Sequence, residues 1–373
     1  MGKKRIAIFA EKLYGGGVEK ILQIVCRNFD YNRYDLTLYA IRKEKMPLGT
    51  YPEHLKIKYF FDGDNGLLAK IKNKLKLFVY YHFSPSVYYQ LFIRKRYDVG
   101  IAFIEGYATR FMSGAPKGMK KIAWLHTDIE NNHWTDVSFL SQEEEKTCYQ
   151  RFDKIVCVSA VVEEKSHDIL GVTNTIVLHN PIETWKIEEL SQVMVDKDPG
   201  KVRMVSMGSL IPVKGYDRLI RVIKRLRDEH NEVELLILGE GRERNNLEIL
   251  IADNNLGDII SLKGFVDNPY PILRSADIYV CSSYAEGFNT AITEALVLGR
   301  AIVSTEISGV REQLGENGEY GIITENTEDG IFQGLKKMIE LGNIEHYQRK
   351  AMIRGREFNL DIQMQKIYDV IES

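Results

Sequence analysis

Short apolar runs, many ending in glycine-bearing loops and followed by helical patterns, recur along this chain in two separate series. In the first, Ile6 to Ala10, Tyr34 to Ile41, Val99 to Ile104, Lys121 to Leu125 and Ile155 to Ser159 read as strands. In the second, Val202 to Met207, Glu234 to Leu238, Ile260 to Leu262, Asp277 to Cys281 and Ala301 to Ser304 do. Helical patterns such as Val18 to Phe29, Tyr216 to Glu229 and Arg244 to Asn254 lie between them. Buried strands alternating with helices build a parallel sheet covered on both faces. The expected fold class is α/β, with two doubly wound domains facing each other across a cleft.

A length of 373 residues allows each half its own core. A polar segment around Glu188 to Lys201 separates the two series. Domains are therefore expected at 1–185 and 186–355, with a last helix over 356–373. Residues 1–185 carry 27 Lys and Arg against 21 Asp and Glu, whereas residues 186–373 carry 23 against 31. Charges of +6 and −8 suggest halves with different partners. The basic start, Lys3-Lys4-Arg5, precedes an apolar stretch too short for a signal peptide, and no run approaches the length that spans a bilayer. Cys26, Cys148, Cys157 and Cys281 lack metal-ligand spacing and read as reduced, mostly buried thiols of a cytoplasmic protein.

Glu286 and Glu294 stand with seven residues between them across a strand–loop–helix segment, Ser282 to Leu296. A loop that opens a helix presents backbone N–H groups and a positive dipole end, which suits a phosphate. Carboxylates beside such a site make sense if they grip sugar or ribose hydroxyls. A helix capped by Asn289 or Thr290, with two exposed glutamates, accounts for this segment equally well. Three further segments favour the first reading. Lys214, in the strand–loop–helix Val205 to Tyr216, suits a diphosphate. Gly239 ends another strand at the edge where open sheets bind ligands. His126 follows the strand Lys121 to Leu125 and can donate to a phosphate or sugar oxygen. The early loop Tyr14-Gly15-Gly16-Gly17 lacks the dinucleotide spacing, which disfavours hydride transfer.

Lys70, Lys72, Lys74, Lys76, Arg94, Lys95 and Arg96 lie in a stretch, residues 66–97, that contains no Asp or Glu. With the aromatic run Phe78-Val79-Tyr80-Tyr81 this suits an anionic bilayer face or a lipid-linked phosphate. A solvated charged face is the bland alternative. Asp62-Gly63-Asp64 and Asp196-Lys197-Asp198 have a metal-binding spacing but read as a turn and a linker, so no metal ion is expected.

In order and spacing these segments resemble the retaining, GT-B-fold glycosyltransferases of family 4, over nearly the whole chain. The likeness runs through Gly15-Gly16-Gly17, His126, Ser159, Asn180-Pro181-Ile182, Gly208 to Gly215, Gly239-Glu240-Gly241, Gly264-Phe265-Val266, Glu286-Gly287-Phe288 with Glu294, and Ser308 to Glu312. It implies two Rossmann-like domains, the first binding the acceptor and the second an activated sugar, with the last helix packing back on the first; the site residues would lie on exposed loops. Glu294 would hold ribose hydroxyls and Glu286 those of the donor sugar. Lys214, with backbone groups around Gly287, Phe288, Asn289 and Thr290, would take the diphosphate, and Phe265 and Val266 the base. Gly16 and Gly17 would leave room for donor and acceptor, and His126 would sit near the reacting carbon.

The resemblance also implies a nucleotide-sugar co-substrate, UDP-linked, with no cofactor and no nucleic acid. The acceptor would be a glycan or a lipid-linked molecule, met at the inner face of the cell membrane. One position departs from the family pattern: Ser209 stands where an Arg usually completes the diphosphate clamp, so either Arg242 or another basic residue compensates or the chain is slow or differently selective. That departure keeps open a catalytically silent, nucleotide-sugar-binding partner subunit. A sugar-nucleotide epimerase on the same fold is a further alternative.

Overall fold

The computed structural model describes residues 2–43, 46–47, 49–61 and 67–373. It divides into two compact units, Met1–Pro181 with Asp361–Ser373, and Ile182–Leu360.

The first unit contains a seven-stranded, all-parallel sheet. Its strands are β1 (Lys4–Ala10), β2 (Tyr34–Arg42), β3 (Lys56–Phe61), β4 (Val99–Ala102), β5 (Lys120–Leu125), β6 (Lys154–Cys157) and β7 (Thr175–Val177). They lie in the order β3-β2-β1-β4-β5-β6-β7. Beyond the basic residues that open β1, β5 and β6 the central strands are apolar, as strands covered by helices on both faces are, and Ile6, Ala7 and Ile8 are fully enclosed.

The last helix, Leu360–Glu372, belongs to this unit. Its Tyr368 ring stacks on Tyr34 at 5.6 Å and meets Phe29 edge-on at 5.6 Å. Glu372 accepts a 2.7 Å hydrogen bond from Tyr34 and pairs with Lys4. Lys120 donates to the Val370 carbonyl at 2.5 Å. Lys4, Tyr34 and Lys120 begin β1, β2 and β5, so this helix seals the amino edge of the sheet and leaves the carboxyl edge to the loops.

The second unit has a six-stranded parallel sheet. Its strands are β8 (Val202–Met207), β9 (Val233–Leu238), β10 (Ile260–Gly264), β11 (Ile278–Cys281), β12 (Ala301–Thr305) and β13 (Ile322–Thr324), in the order β10-β9-β8-β11-β12-β13. Leu219, Ile223, Ile237, Val280, Val303 and Leu335 are at the heart of one continuous core. Part of the segment read as a linker is instead the helix Thr184–Leu190. It is tied to this unit where Asn268 donates to the Leu190 carbonyl at 2.9 Å and Arg274 to Ser191 at 3.1 Å.

Candidate functional site

In an open parallel sheet, ligands bind beyond the carboxyl ends of two neighbouring strands whose crossovers leave in opposite directions. The strand order puts that point between β8 and β11 in the second unit. The loops after these strands, 208–215 and 282–289, carry Lys214 and Glu286, and they are stitched together. Tyr284 N–H donates to the Val213 carbonyl at 2.7 Å, and Ser282 Oγ to the Lys214 carbonyl at 2.9 Å. Gly215 has φ +63°, and a Cβ there would stand 2.3 Å from the Ser282 carbonyl oxygen. Only glycine allows that approach. Arg218, fully buried, donates to the Ser282 carbonyl at 2.9 and 2.7 Å and to Asn326 Oδ1 at 2.7 Å, with its guanidinium 3.7 Å over the Tyr284 ring.

At the mouth of this crevice Glu286 Oε1 receives Lys214 Nζ at 2.5 Å, Ser283 Oγ at 2.6 Å and Asn289 Nδ2 at 3.3 Å. The two charged side chains are only 20% and 14% exposed. Burial acts to discharge Lys214, but the adjacent Glu286 carboxylate outweighs it and raises the lysine above its ordinary range. The ammonium is therefore firmly charged and already partnered. Asn289 also caps the helix Thr290–Val297, its Oδ1 accepting from Ala291 N–H at 3.0 Å and Ile292 N–H at 3.4 Å. An anion at this helix end would be met by the preceding residues, Gly287 to Thr290.

Glu294 lies one turn into that helix. It is buried, with Tyr270 OH at 3.4 Å from Oε1. Asn289, Phe288 and His126 are buried too, which corrects the expectation of exposed loop positions. His126 directly follows β5 and lies against Phe103 and Trp124, with ring centroids 5.1 and 6.0 Å away, while Asn289 is held among Cys281, Glu286 and Gln313. Gln313 Nε2 fixes the cap from outside, donating to the Asn289 carbonyl and to Thr293 Oγ1, both at 2.8 Å.

Among the remaining donor-site candidates, Gly239 touches the β8 loop so closely that a Cβ would lie 2.0 Å from the Gly208 carbonyl oxygen. Phe265 is exposed and Val266 half-buried on the loop after β10. Ser209 and Arg242 are exposed on the loops after β8 and β9. Arg218 is held as described, and Arg244 is held by Glu240 at 2.8 Å and Glu248 at 2.6 Å. The loops 208–215, 239–243, 265–269 and 282–289 carry two basic residues, Lys214 and Arg242. Lys214 has its carboxylate, whereas Arg242 forms no ion pair among the described residues.

In the first unit the switch falls between β1 and β4. Glu11 follows β1 and accepts from Tyr107 N–H at 3.2 Å, and burial raises its carboxyl. Gly16 caps the helix Gly17–Arg27, and a side chain at Gly17 would meet nothing within 4 Å. His126 lies just beyond β5. Among the described residues neither ring nitrogen has a hydrogen-bond partner, and burial lowers its pKa to about 3 against a weaker pull from the Phe103 backbone. The ring is thus a neutral imidazole with both nitrogens buried, and the Phe103 backbone is the neighbour that favours its charged form.

Beneath it sits a residue that sequence reasoning missed. Glu105, fully buried beyond the end of β4, accepts the N–H groups of His126 and of Thr127, the latter at 2.6 Å. Its Oε2 has no partner among the described residues, and burial pushes the carboxyl up to about 7. Its one signal in the sequence is a carboxylate at the carboxyl end of an apolar run, before Gly106.

The basic stretch occupies the helices Leu67–His82 and Pro85–Phe92 and the residues just after them. Lys70, Lys72, Lys74, Arg94 and Arg96 are exposed. Lys76 and Lys95 turn inward, Lys76 donating to the Phe60 carbonyl and Lys95 to Asp35 at 3.2 Å. Asp62-Gly63-Asp64 lies outside the described residues. Lys197 of the other acidic pair is bound to Asp277, and Asp198 accepts from Gly200 N–H at 2.9 Å. Among the described residues no helix is long and apolar enough to cross a membrane.

Residues 189–354 match the family model for Glycosyl transferases group 1. The N-acetylgalactosamine-N,N'-diacetylbacillosaminyl-diphospho-undecaprenol 4-alpha-N-acetylgalactosaminyltransferase of Campylobacter jejuni is 33% identical over 187 residues, 49% of each chain. A lipopolysaccharide core biosynthesis glycosyltransferase of Rhizobium meliloti, LpsE, is 29% identical over 192 residues, 52% of this chain and 54% of the relative. The chain thus spans about half the length of these curated relatives. Among solved structures, Anabaena HepE in complex with UDP-glucose superimposes with a TM-score of 0.76 at 17% identity, covering 99% of both chains. TarM gives 0.74 at 15% identity, again over 99% of both. At such identities the likeness concerns the fold, which is GT-B.

Proposed function

We propose, from the match of residues 189–354 to the family model for glycosyl transferases group 1, that this chain is a retaining glycosyltransferase. It moves a sugar from a nucleotide-sugar donor, UDP-linked, to a glycan or lipid-linked acceptor in surface polysaccharide or glycolipid assembly. The observation that carries this reading is the Lys214–Glu286 pair, 2.5 Å apart, at the mouth of the crevice between β8 and β11. A diphosphate and a sugar hydroxyl arriving together offer each partner a replacement, an anion for the lysine and a donor for the carboxylate. UDP as the nucleotide, and surface glycans as the setting, are suggested by the UDP-glucose complex of HepE and by the names of the Campylobacter and Rhizobium relatives.

In this scheme Glu294 takes the ribose hydroxyls and Phe265 and Val266 lie against the base. The bond between the anomeric carbon and the diphosphate oxygen breaks, and its electron pair leaves with the phosphate. The acceptor oxygen bonds to the same face, and its proton passes to the departing phosphate. The protein's task is to stabilise charge growing on that phosphate, which Lys214, residues 287–290 and the helix dipole do without a metal ion. In the first unit, neutral His126 is the candidate to donate a hydrogen bond to a sugar or phosphate oxygen.

The test is incubation with a panel of nucleotide sugars and with lipid-linked and plain acceptors, measuring nucleoside diphosphate release. Release that requires both a donor and an acceptor is expected; none from any donor sinks the proposal. Ser209, where the family pattern has Arg, favours one second reading, a silent partner subunit. Thermal stabilisation by UDP without turnover would select it.

A further inference from the structure

The helix Leu67–His82 has two opposite faces that do different things. At about 100° per residue, Lys76 and Tyr80 lie on one side and Ile71, Leu75, Phe78 and His82 on the other. The first side is anchored. Lys76 donates to the Phe60 carbonyl, and buried Tyr80 donates to the Ser138 carbonyl at 2.6 Å while stacking on Tyr107 at 4.5 Å. The opposite side is left largely uncovered by the described residues. Ile71 is 56% exposed, Leu75 61% and Phe78 51%, and Phe78 stacks on its helix neighbour His82 at 4.1 Å. Exposed Lys70 and Lys74 flank this apolar ridge on one side, with Lys72 on the other. The next helix, Pro85–Phe92, adds exposed Val87 and Leu91, with Arg94 close behind.

We infer that this ridge is an insertion surface for an anionic lipid bilayer: the apolar crest enters the acyl boundary while the flanking lysines hold the phosphate belt. The ridge calls for a cover, and two observations select lipid over a protein groove or a second copy of the chain. Apolar side chains of this size on the outer line of a helix cost free energy in water unless something covers them. The cations stand on both flanks of the crest, the arrangement in which lysine stems lie along apolar surface and reach outward to headgroups. No acidic residue occurs from 67 to 97, whereas a chain pairing with its own copy would bring these lysines against one another. The helix has 16 residues, about 24 Å at 1.5 Å each, and carries four lysines, so it lies in the interface rather than crossing it.

The inference differs from a purely electrostatic contact by the lysines, because it makes the crest responsible for much of the affinity. It also stands apart from the sugar-transfer proposal, since binding needs neither donor nor acceptor. The experiment is sedimentation of the full chain with phosphatidylcholine vesicles, with and without phosphatidylglycerol. Wild type is expected to pellet with the anionic vesicles. Ile71→Ser/Leu75→Ser/Phe78→Ser, all at half-exposed positions, should weaken that binding by more than about tenfold with circular dichroism unchanged. Lys70→Glu/Lys72→Glu/Lys74→Glu should abolish the preference for phosphatidylglycerol. Phe78→Trp should show a blue-shifted emission that brominated lipid quenches.

Binding by the serine variant equal to wild type would overturn the inference, as would pelleting of the Phe78→Trp variant with its indole emission unmoved. So would a wild-type dimer in solution that ignores vesicles and becomes a monomer in the serine variant. UDP release is measured separately, with soluble acceptor, so that failure of the ridge and failure of the transfer reaction are distinguishable.

Discussion

The carboxyl edges of the two sheets hold their polar groups in opposite ways. In the second unit nearly every charge is compensated: Glu286 Oε1 receives three donors, Lys214 has its carboxylate, and Arg218 is spent on the backbone of the β11 loop and on Asn326. In the first unit buried groups are left unclaimed among the described residues, both nitrogens of His126 and one oxygen of Glu105. A buried polar group without a partner costs about 1–3 kcal/mol. The contrast teaches that a ligand at the second unit must exchange existing bonds, whereas one at the first gains bonds nothing else is using.

The sharpest way to break this comparison is Lys214→Met. Loss of a charge aimed at the leaving phosphate should cost about 2.7–4 kcal/mol in kcat/KM, roughly 10²–10³. It also strands Glu286, so the melting temperature should fall. Lys214→Met/Glu286→Gln should recover stability but not turnover. A double variant as inactive and as unstable as the single one would show that the pair is not a coupled unit.

Next in size is the pH response of Glu105. Its folded pKa, about 7, lies above the ordinary 4.5, so the folded form keeps a proton that the unfolded chain gives up. The resulting stability is fully present below about pH 4.5 and is lost as pH rises through about 7, on the order of 3 kcal/mol over the window. Thermal melts between about pH 5 and pH 8 should slope downward in wild type and flatten in Glu105→Gln. Tyr149, Cys157 and the His126 ring are the titratable groups around it; burial disfavours the charged form of each.

His126→Phe should leave the melting temperature nearly unchanged, since the ring has no hydrogen bond to lose among the described residues. Turnover should drop by the worth of one hydrogen bond to a group that gains charge, about 1.5–3 kcal/mol. A large fall in stability would show that the first unit is not as uncompensated as it stands. The smallest effect belongs to exposed Arg242. Its change to Ala should weaken UDP binding by about 0.5–1.5 kcal/mol, and isothermal titration in low salt reads it.

The strands absent from the sequence reading, β3, β7 and β13, are all sheet edges. Edge strands are short and one-sided, as in Thr175–Val177, where no residue is fully buried, so they lack the dense apolar run that marks a central strand. Lys214, Glu286 and Glu294 were legible because residue type and position after a strand coincide. Glu105, Gln313 and Arg218 were not. Each acts through a partner from a distant segment, and nothing local separates such a carboxylate, amide or guanidinium from a solvated one. The basic stretch was legible as charge, but the sequence did not reveal that Lys76 faces inward and that the outward line is apolar.

The order of apolar runs and helical patterns by itself determined two parallel sheets, because buried strands joined by helices have few other ways to satisfy their backbone groups. By placing Lys214 and Glu286 just after central strands, it also put a lysine and a carboxylate on the two loops at the switch point between β8 and β11. Tertiary structure decided the rest: that Lys214 and Glu286 meet, that Glu105 supports His126 from below, and that one line of Leu67–His82 is left uncovered. These are contacts and exposures between residues far apart in the chain, and their distances exist only once the sheets have closed around their cores.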